Sequence, residues 1–226
     1  MRQGIKKLSQ WTTMSLLIAA AVNGAHAADA YKAAGAATGD LTVVGSDTVT
    51  KAAKLWVEDF KTKQAGVNVA LTEADSGVGA DALVTGKADI GMMSRTMKPQ
   101  EILAFQSKKG YQPTQIIIGL DGLAIIVNKA NPIASISIPQ IDGAFSTTLK
   151  CGGKAVDTWG SLGVTGDLAG KAPTAYSREA KSGTRGSFEK EVLCKGALKA
   201  GAKEIDTNAG IVSGVASDST ALGYTS

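Results

Sequence analysis

The spacing of apolar positions predicts alternating strands and helices over most of the chain. Leu41-Thr42-Val43-Val44-Gly45-Ser46 reads as a short buried strand. Val49, Ala52, Ala53, Trp56 and Phe60 recur at helical intervals, so 48–64 reads as an amphipathic helix. Val67 to Ala74 alternates as a strand does, 77–85 is a short helix, and 88–93 is a second buried strand. Pro99 suits the first turn of a helix that runs to about residue 108. Gln115 to Asn128 is a long apolar run broken by Gly119, Asp121 and Gly122, which fits a bent strand crossing between two lobes. Beyond Ile138-Pro139-Gln140-Ile141, residues 143–170 are glycine-rich and weakly patterned. Residues 172–177 form a strand, Ser182 opens a helix carrying Phe188, Val192 and Leu193, and Ala221-Leu222-Gly223-Tyr224 closes the pattern. This order predicts an α/β fold.

The first residues do not belong to that pattern. Arg2, Lys6 and Lys7 precede an apolar stretch from Trp11 to Val22, and Ala25-His26-Ala27 offers small residues for cleavage. Residues 1–27 therefore read as a signal peptide, the stretch being shorter than the roughly 20 apolar residues a bilayer core requires. No cysteine follows for a lipid anchor. Removing the signal leaves 199 of 226 residues and lowers the formal charge from +4 to +1, which argues against a nucleic-acid partner. It also removes His26, the chain's only histidine, and with it the commonest general base and metal ligand. Cys151 and Cys194 make a poor zinc site without histidine. After export to an oxidising compartment a disulfide is favoured over two buried thiols. Residues 28–40, rich in Ala and Gly, read as a flexible segment.

Three places share one arrangement: a strand ends, hydroxyl residues and glycine follow, and a helix begins. They are Gly45-Ser46-Asp47-Thr48, Asp75-Ser76-Gly77 and Ser182-Gly183-Thr184. A helix start carries unpaired N–H groups and the positive end of the helix dipole. At any one of them ordinary N-capping is explanation enough. Three together, with Arg178 four residues before Ser182, point to an oxyanion, whose geometry the guanidinium fork matches.

These residues, with Ala88-Asp89-Ile90-Gly91, Ser94-Arg95, the run Gly119 to Asn128, Gly210-Ile211-Val212 and Ala221 to Tyr224, resemble the phosphate-binding proteins that serve ABC phosphate transporters. That family has the two-lobed type II periplasmic-binding-protein architecture. The resemblance covers Leu41 to Ser226. It implies lobes at 41–120 and 121–215, with 216–226 a return crossover strand towards the first lobe. It implies a periplasmic monomer without metal or cofactor that delivers phosphate to a membrane permease. By resemblance the phosphate contacts are the Thr48 hydroxyl, the Val49 N–H, Ser76, Arg178, Ser182, Gly183 and Thr184. Gly119 to Gly122 is the hinge candidate.

Two departures stand out. Better-known members carry an aspartate after the serine of the third strand, to accept the proton of hydrogen phosphate; Arg95 stands there. Asp47, Asp75 and Asp121 are the substitutes to consider, and Ser46, Ser94 and Arg95 are further ligand candidates. The chain also stops where relatives continue, so it reads as lacking their C-terminal part, with an unpaired or weakly covered final strand and exposed apolar surface on the first lobe. Sulfate, molybdate and tungstate are alternative ligands, and an adhesin or sensor is an alternative role. Catalysis has weak support. Gly77-Val78-Gly79-Ala80-Asp81-Ala82 matches a loose dinucleotide pattern, but no Walker motif follows Gly86-Lys87. Lys181-Ser182-Gly183 lacks the serine–lysine element that should precede it, and a Ser-His-Asp triad needs a histidine.

Overall fold

The computed structural model describes residues 31–33 and 35–226. The signal-peptide reading of residues 1–27 lies outside the described residues, as do positions 28–30 and 34 of the segment read as flexible.

Two sheets organise the compact unit Ala36–Ser226. The first has the order β2-β1-β3 and is parallel throughout. Its central strand β1 (Gly39–Ser46) pairs with β2 (Val67–Ala74) from Gly39↔Val67 to Ser46↔Ala74, and with the short edge strand β3 (Ile90–Met92). Each strand is followed by a helix: α1 (Asp47–Lys63), α2 (Ser76–Thr85) and α3 (Pro99–Lys109). The buried core is small, formed by Val43, Ala53, Val69 and Met92. Gly45 sits at φ +140°, and a Cβ there would lie 2.1 Å from the Met92 carbonyl oxygen, so β1 and β3 approach this closely only with glycine.

The second sheet is mixed, with the order β4-β7-β5-β6. β7 (Ala221–Thr225) runs antiparallel to β4 (Ala124–Val127) and parallel to β5 (Thr174–Arg178); β6 (Lys203–Ile205) forms the other edge. β7 is therefore an interior strand paired on both sides, and Ala221, Leu222 and Tyr224 are fully buried. The expectation that it would be unpaired is corrected. Its run of apolar residues reflects burial on both faces. Exposed apolar side chains do lie within 41–120, on Leu55, Trp56, Leu103 and Tyr111 and above all on 116–120, where Ile116, Ile117, Ile118 and Leu120 are solvent-facing.

Helices α4 (Ile138–Phe145), α5 (Gly183–Glu191) and α6 (Asn208–Ser217) accompany this sheet. Its core joins Phe145, Trp159, Phe188, Leu193, Leu222 and Tyr224. The Phe188 and Tyr224 rings stack at 3.8 Å, and Phe145 meets both edge-on. Cys151, after α4, is bonded to Cys194, after α5.

Element boundaries in the first half follow the sequence pattern closely. The second half differs in four places. Of the run 115–128 only Ala124–Val127 is a strand; the residues before it are largely solvent-exposed and pair with no strand. α4 was not expected, although Ser137 and Gln140 mark its start: the Gln140 side chain accepts the Ser137 N–H at 2.9 Å, as in a capping box. β6 has only three residues, two of them charged. Apart from Asn208 and Ile211, α6 is composed of Ala, Gly, Ser and Val, whose weak amphipathic contrast hides its period.

Candidate functional site

The parallel strands deliver their chemistry at one end. Ser46 closes β1, Ala74 closes β2, Met92 closes β3 and Arg178 closes β5, and the residues after them start helices or lead into one. Crevices beyond the carboxyl ends of parallel strands are where open α/β sheets hold ligands.

The starts of α1, α2, α5 and α6 converge. From α1, the Thr48 hydroxyl lies 3.2 Å from that of Thr184 on α5 and 2.8 Å from that of Ser226. The Thr184 and Ser226 hydroxyls are 3.1 Å apart. From α6, Asn208 Nδ2 donates to Thr48 Oγ1 at 3.1 Å and to Ser226 Oγ at 3.2 Å. The start of α2 reaches α5 as well. The Gly77 N–H donates to the Lys181 carbonyl at 3.0 Å. A Cβ at Gly183 would fall 2.0 Å from Ser76 Oγ and 2.3 Å from Ser94 Oγ, so only glycine admits those hydroxyls there. Ser76 Oγ in turn accepts the Ser94 N–H at 3.1 Å. Four helix N-termini, each carrying roughly half a positive charge, are thus directed at one region lined by hydroxyls.

Arg178 is fully buried between the two sheets. Its Nη1 donates to both carboxylate oxygens of Asp47 (3.1 and 3.2 Å), and its Nη2 to Asp75 (2.9 Å) and the Asp206 carbonyl (2.5 Å). Its Nε is buried with no partner. The Arg178 N–H donates to the Tyr224 hydroxyl at 3.0 Å, and the Ser177 hydroxyl lies 2.8 Å from the same phenol. Burial pushes the Tyr224 phenol above its usual value, against the lowering effect of those bonds. Burial likewise pushes the Asp75 carboxyl up, more than the Arg178 charge draws it down. Beside this ion cluster an acidic cleft of about 280 Å³ is lined in part by Asp47, Glu73, Asp75 and Asp206.

The structure gathers Asp47, Thr48, Asp75, Ser76, Ser94, Arg178, Gly183 and Thr184 in this region. Ser182 caps α5 by accepting the Arg185 N–H at 3.3 Å. Val49 packs its side chain on the first core, which leaves its N–H in the first turn of α1. Ser46 is buried at the N-cap of α1 without a side-chain cap bond. Two candidates are elsewhere. Asp121 is exposed in the irregular segment before β4. Arg95 turns to Glu101, with Nη1 and Nη2 donating at 2.8 and 2.7 Å. Burial raises the Glu101 carboxyl, but the bonds from Arg95 and the Lys98 N–H outweigh it and hold the group below its ordinary value.

Arg185, in the first turn of α5, is mostly buried. It donates to Glu189 (2.8 Å), Glu204 (2.9 Å) and the Arg178 carbonyl (3.2 Å). It thereby ties α5 to β5 and β6. The glycines of the dinucleotide-like match are explained by packing: Gly77 abuts Lys181, and a Cβ on Gly79 would lie 2.9 Å from the Val44 carbonyl oxygen.

Asn208 and Ser226 were missed. Thr207-Asn208 repeats the hydroxyl-led helix start seen elsewhere, with the Thr207 hydroxyl accepting the Gly210 N–H at 3.0 Å. The short charged β6 before it concealed the repetition.

Comparison with known proteins accords with this arrangement. Residues 32–226 match the family model of the PBP superfamily domain. The phosphate-binding protein PstS of Pseudomonas aeruginosa is 38% identical over 96% of this chain and 70% of its own length. A phosphate ABC transporter substrate-binding protein from Clostridium perfringens, solved with bound phosphate, superposes with a TM-score of 0.69 at 27% identity, covering 83% of this chain and 70% of its own. An ABC-type phosphate transport receptor from Vibrio cholerae gives 0.59 at 25% identity, over 81% and 70%. With the carboxyl ends of both sheets, four helix starts and a buried arginine meeting as described, the chain belongs to the PstS family of phosphate-binding proteins within the PBP superfamily.

Proposed function

We propose that this protein is an exported solute-binding protein that captures inorganic phosphate and passes it to the permease of an ABC transporter. The observation that carries the reading is the convergence of α1, α2, α5 and α6 on the hydroxyls of Thr48, Ser76, Thr184 and Ser226. Aligned positive helix ends repel one another, and a bound anion relieves that repulsion. The Val49 and Gly183 backbone N–H groups and the unpartnered Nε of the buried Arg178 supply further donors. Ser182 holds the α5 start in shape. The two sheets are the two lobes, 41–120 and 121–215, with 119–122 as hinge; β7 belongs to the second lobe as an interior strand, and Ser226 after it reaches α1 through its contact with Thr48.

Binding without turnover fits the same residues. The hydroxyls of Thr48, Thr184 and Ser226 pair with one another and with Asn208, and the chain's only histidine is His26. The test is calorimetric titration of refolded, ligand-free protein with phosphate, sulfate and molybdate. Phosphate should bind tightest, and Thr184→Val should weaken it by roughly tenfold, the loss of about one hydrogen bond. A parent protein that prefers sulfate or molybdate, or binds none of the three, overturns the reading.

A further inference from the structure

Hydrogen phosphate and sulfate carry the same charge and nearly the same shape, and differ in that phosphate has a proton to donate. A site that separates them needs an acceptor with a free lone pair. The position where better-known relatives keep an aspartate is Arg95, a pure donor bonded to Glu101. Asp47 already accepts three hydrogen bonds, from Arg178 Nη1 on both oxygens and from the Asn208 N–H at 3.0 Å, and is held to the arginine on the acidic-cleft side. Asp75 is bonded to Arg178 and faces the acidic cleft with Glu73 and Asp206, where an anion is repelled. Asp121 is exposed in the irregular segment before β4.

At the hydroxyl cluster one buried acceptor-only oxygen has no partner. Asn208 is 8% exposed, and its Oδ1 is buried without a hydrogen-bond partner. An orphan acceptor of this kind is costly and calls for an explanation. The same amide donates from Nδ2 to both Thr48 and Ser226, which fixes its plane and leaves Oδ1 beside the hydroxyls proposed to hold the anion. We propose that Asn208 is the residue that distinguishes hydrogen phosphate from sulfate, its Oδ1 accepting the P–O–H proton and opposing an unprotonated oxygen. The proposal rests on the phosphate-binding reading of this site. In it an uncharged amide takes the place of a carboxylate, so discrimination does not require a further negative charge among Asp47, Asp75 and Asp206.

The experiment is calorimetric titration at pH 8, where phosphate is mostly the dianion, with phosphate and sulfate in parallel. The proteins are the parent, Asn208→Ala and Asn208→Asp. The readout is the ratio of the two affinities, because a structural defect weakens both anions alike. The parent should prefer phosphate. Asn208→Ala should lower the ratio by about tenfold or more, the worth of one buried hydrogen bond. Asn208→Asp, an acceptor on both oxygens, should keep the ratio at or above the parent value even if added charge weakens both anions. An Asn208→Ala ratio within about twofold of the parent overturns the assignment to Asn208 while leaving the phosphate site standing. So does an Asn208→Asp protein that gains sulfate relative to phosphate, a result that decides the matter even if Asn208→Ala does not fold. A parent that binds neither anion removes the site and the proposal together.

Discussion

The two sheets meet at one site but are built to different standards. The second is packed around Phe145, Trp159, Phe188, Leu193 and Tyr224, all fully buried, and a disulfide fastens two of its connections. The first relies on Val43, Ala53, Val69 and Met92 and leaves Ile90 on its edge strand half exposed. The site contacts follow this division. The phenol of Tyr224 joins the aromatic core directly to the backbone of Arg178, so the arginine is set by the stiffer region. Its partners Asp47 and Asp75 stand on the more lightly packed one. The ion cluster is consequently a joint between a firm half and a yielding half.

Removing that joint should have the largest effect. Arg178→Ala leaves two poorly hydrated carboxylates facing each other, and breaking a buried pair in this way costs about 3–5 kcal/mol. A substantial drop in urea midpoint is expected, beyond any effect on phosphate affinity. A variant as stable as the parent would show that Asp47 and Asp75 do not depend on the arginine. The cores can be compared next. Phe188→Ala should cost about 3–5 kcal/mol, whereas Val69→Ala in the first sheet should cost about 1–2 kcal/mol. Equal losses in chemical denaturation would erase the distinction drawn above. Reduction of Cys151–Cys194 reopens a loop of 43 residues and should cost about 2–4 kcal/mol. Hydrogen exchange should locate that loosening around α4 and α5 and spare β1–β3. The smallest effect is expected at Ile117→Lys. The residue is 76% exposed, so the midpoint should move by less than about 0.5 kcal/mol while light scattering at high concentration falls. A large loss of stability there would mean the segment packs against something in solution.

Legibility in the sequence followed the same division. In the first sheet α1 has a clear period and α2 is bounded by Asp75-Ser76-Gly77 at its start and Gly86 at its end, so β1, α1, β2 and α2 could be read almost to the residue. In the second, β6 is too short to alternate, and α6 has too little contrast between its faces. Candidate site residues at strongly marked helix starts, such as Thr48, Ser76 and Thr184, were visible. Asn208 was not, because its helix was not. The roles of Arg178 and Arg185 needed three dimensions. A sequence displays a guanidinium but not the carboxylates of Asp47, Asp75, Glu189 and Glu204 that surround these two. β7 was misjudged because an apolar strand at the end of a chain looks unpaired until its neighbours β4 and β5, distant in sequence, are in place.

The helix starts have a consequence for how such a protein drifts and how it is probed. Much of what they offer an anion is main-chain N–H, which every residue except proline carries. Alanine scanning is blind to those donors: replacing Val49 changes the packing on the first core but leaves its amide where it was. Side chains around α1, α2 and α5 can therefore diverge among related proteins while the polar frame persists. A mutational map would register only the proposed contacts made by hydroxyls, the Asn208 amide and Arg178. Backbone chemistry such as amide-to-ester replacement at Val49 or Gly183 would bring the remainder into view.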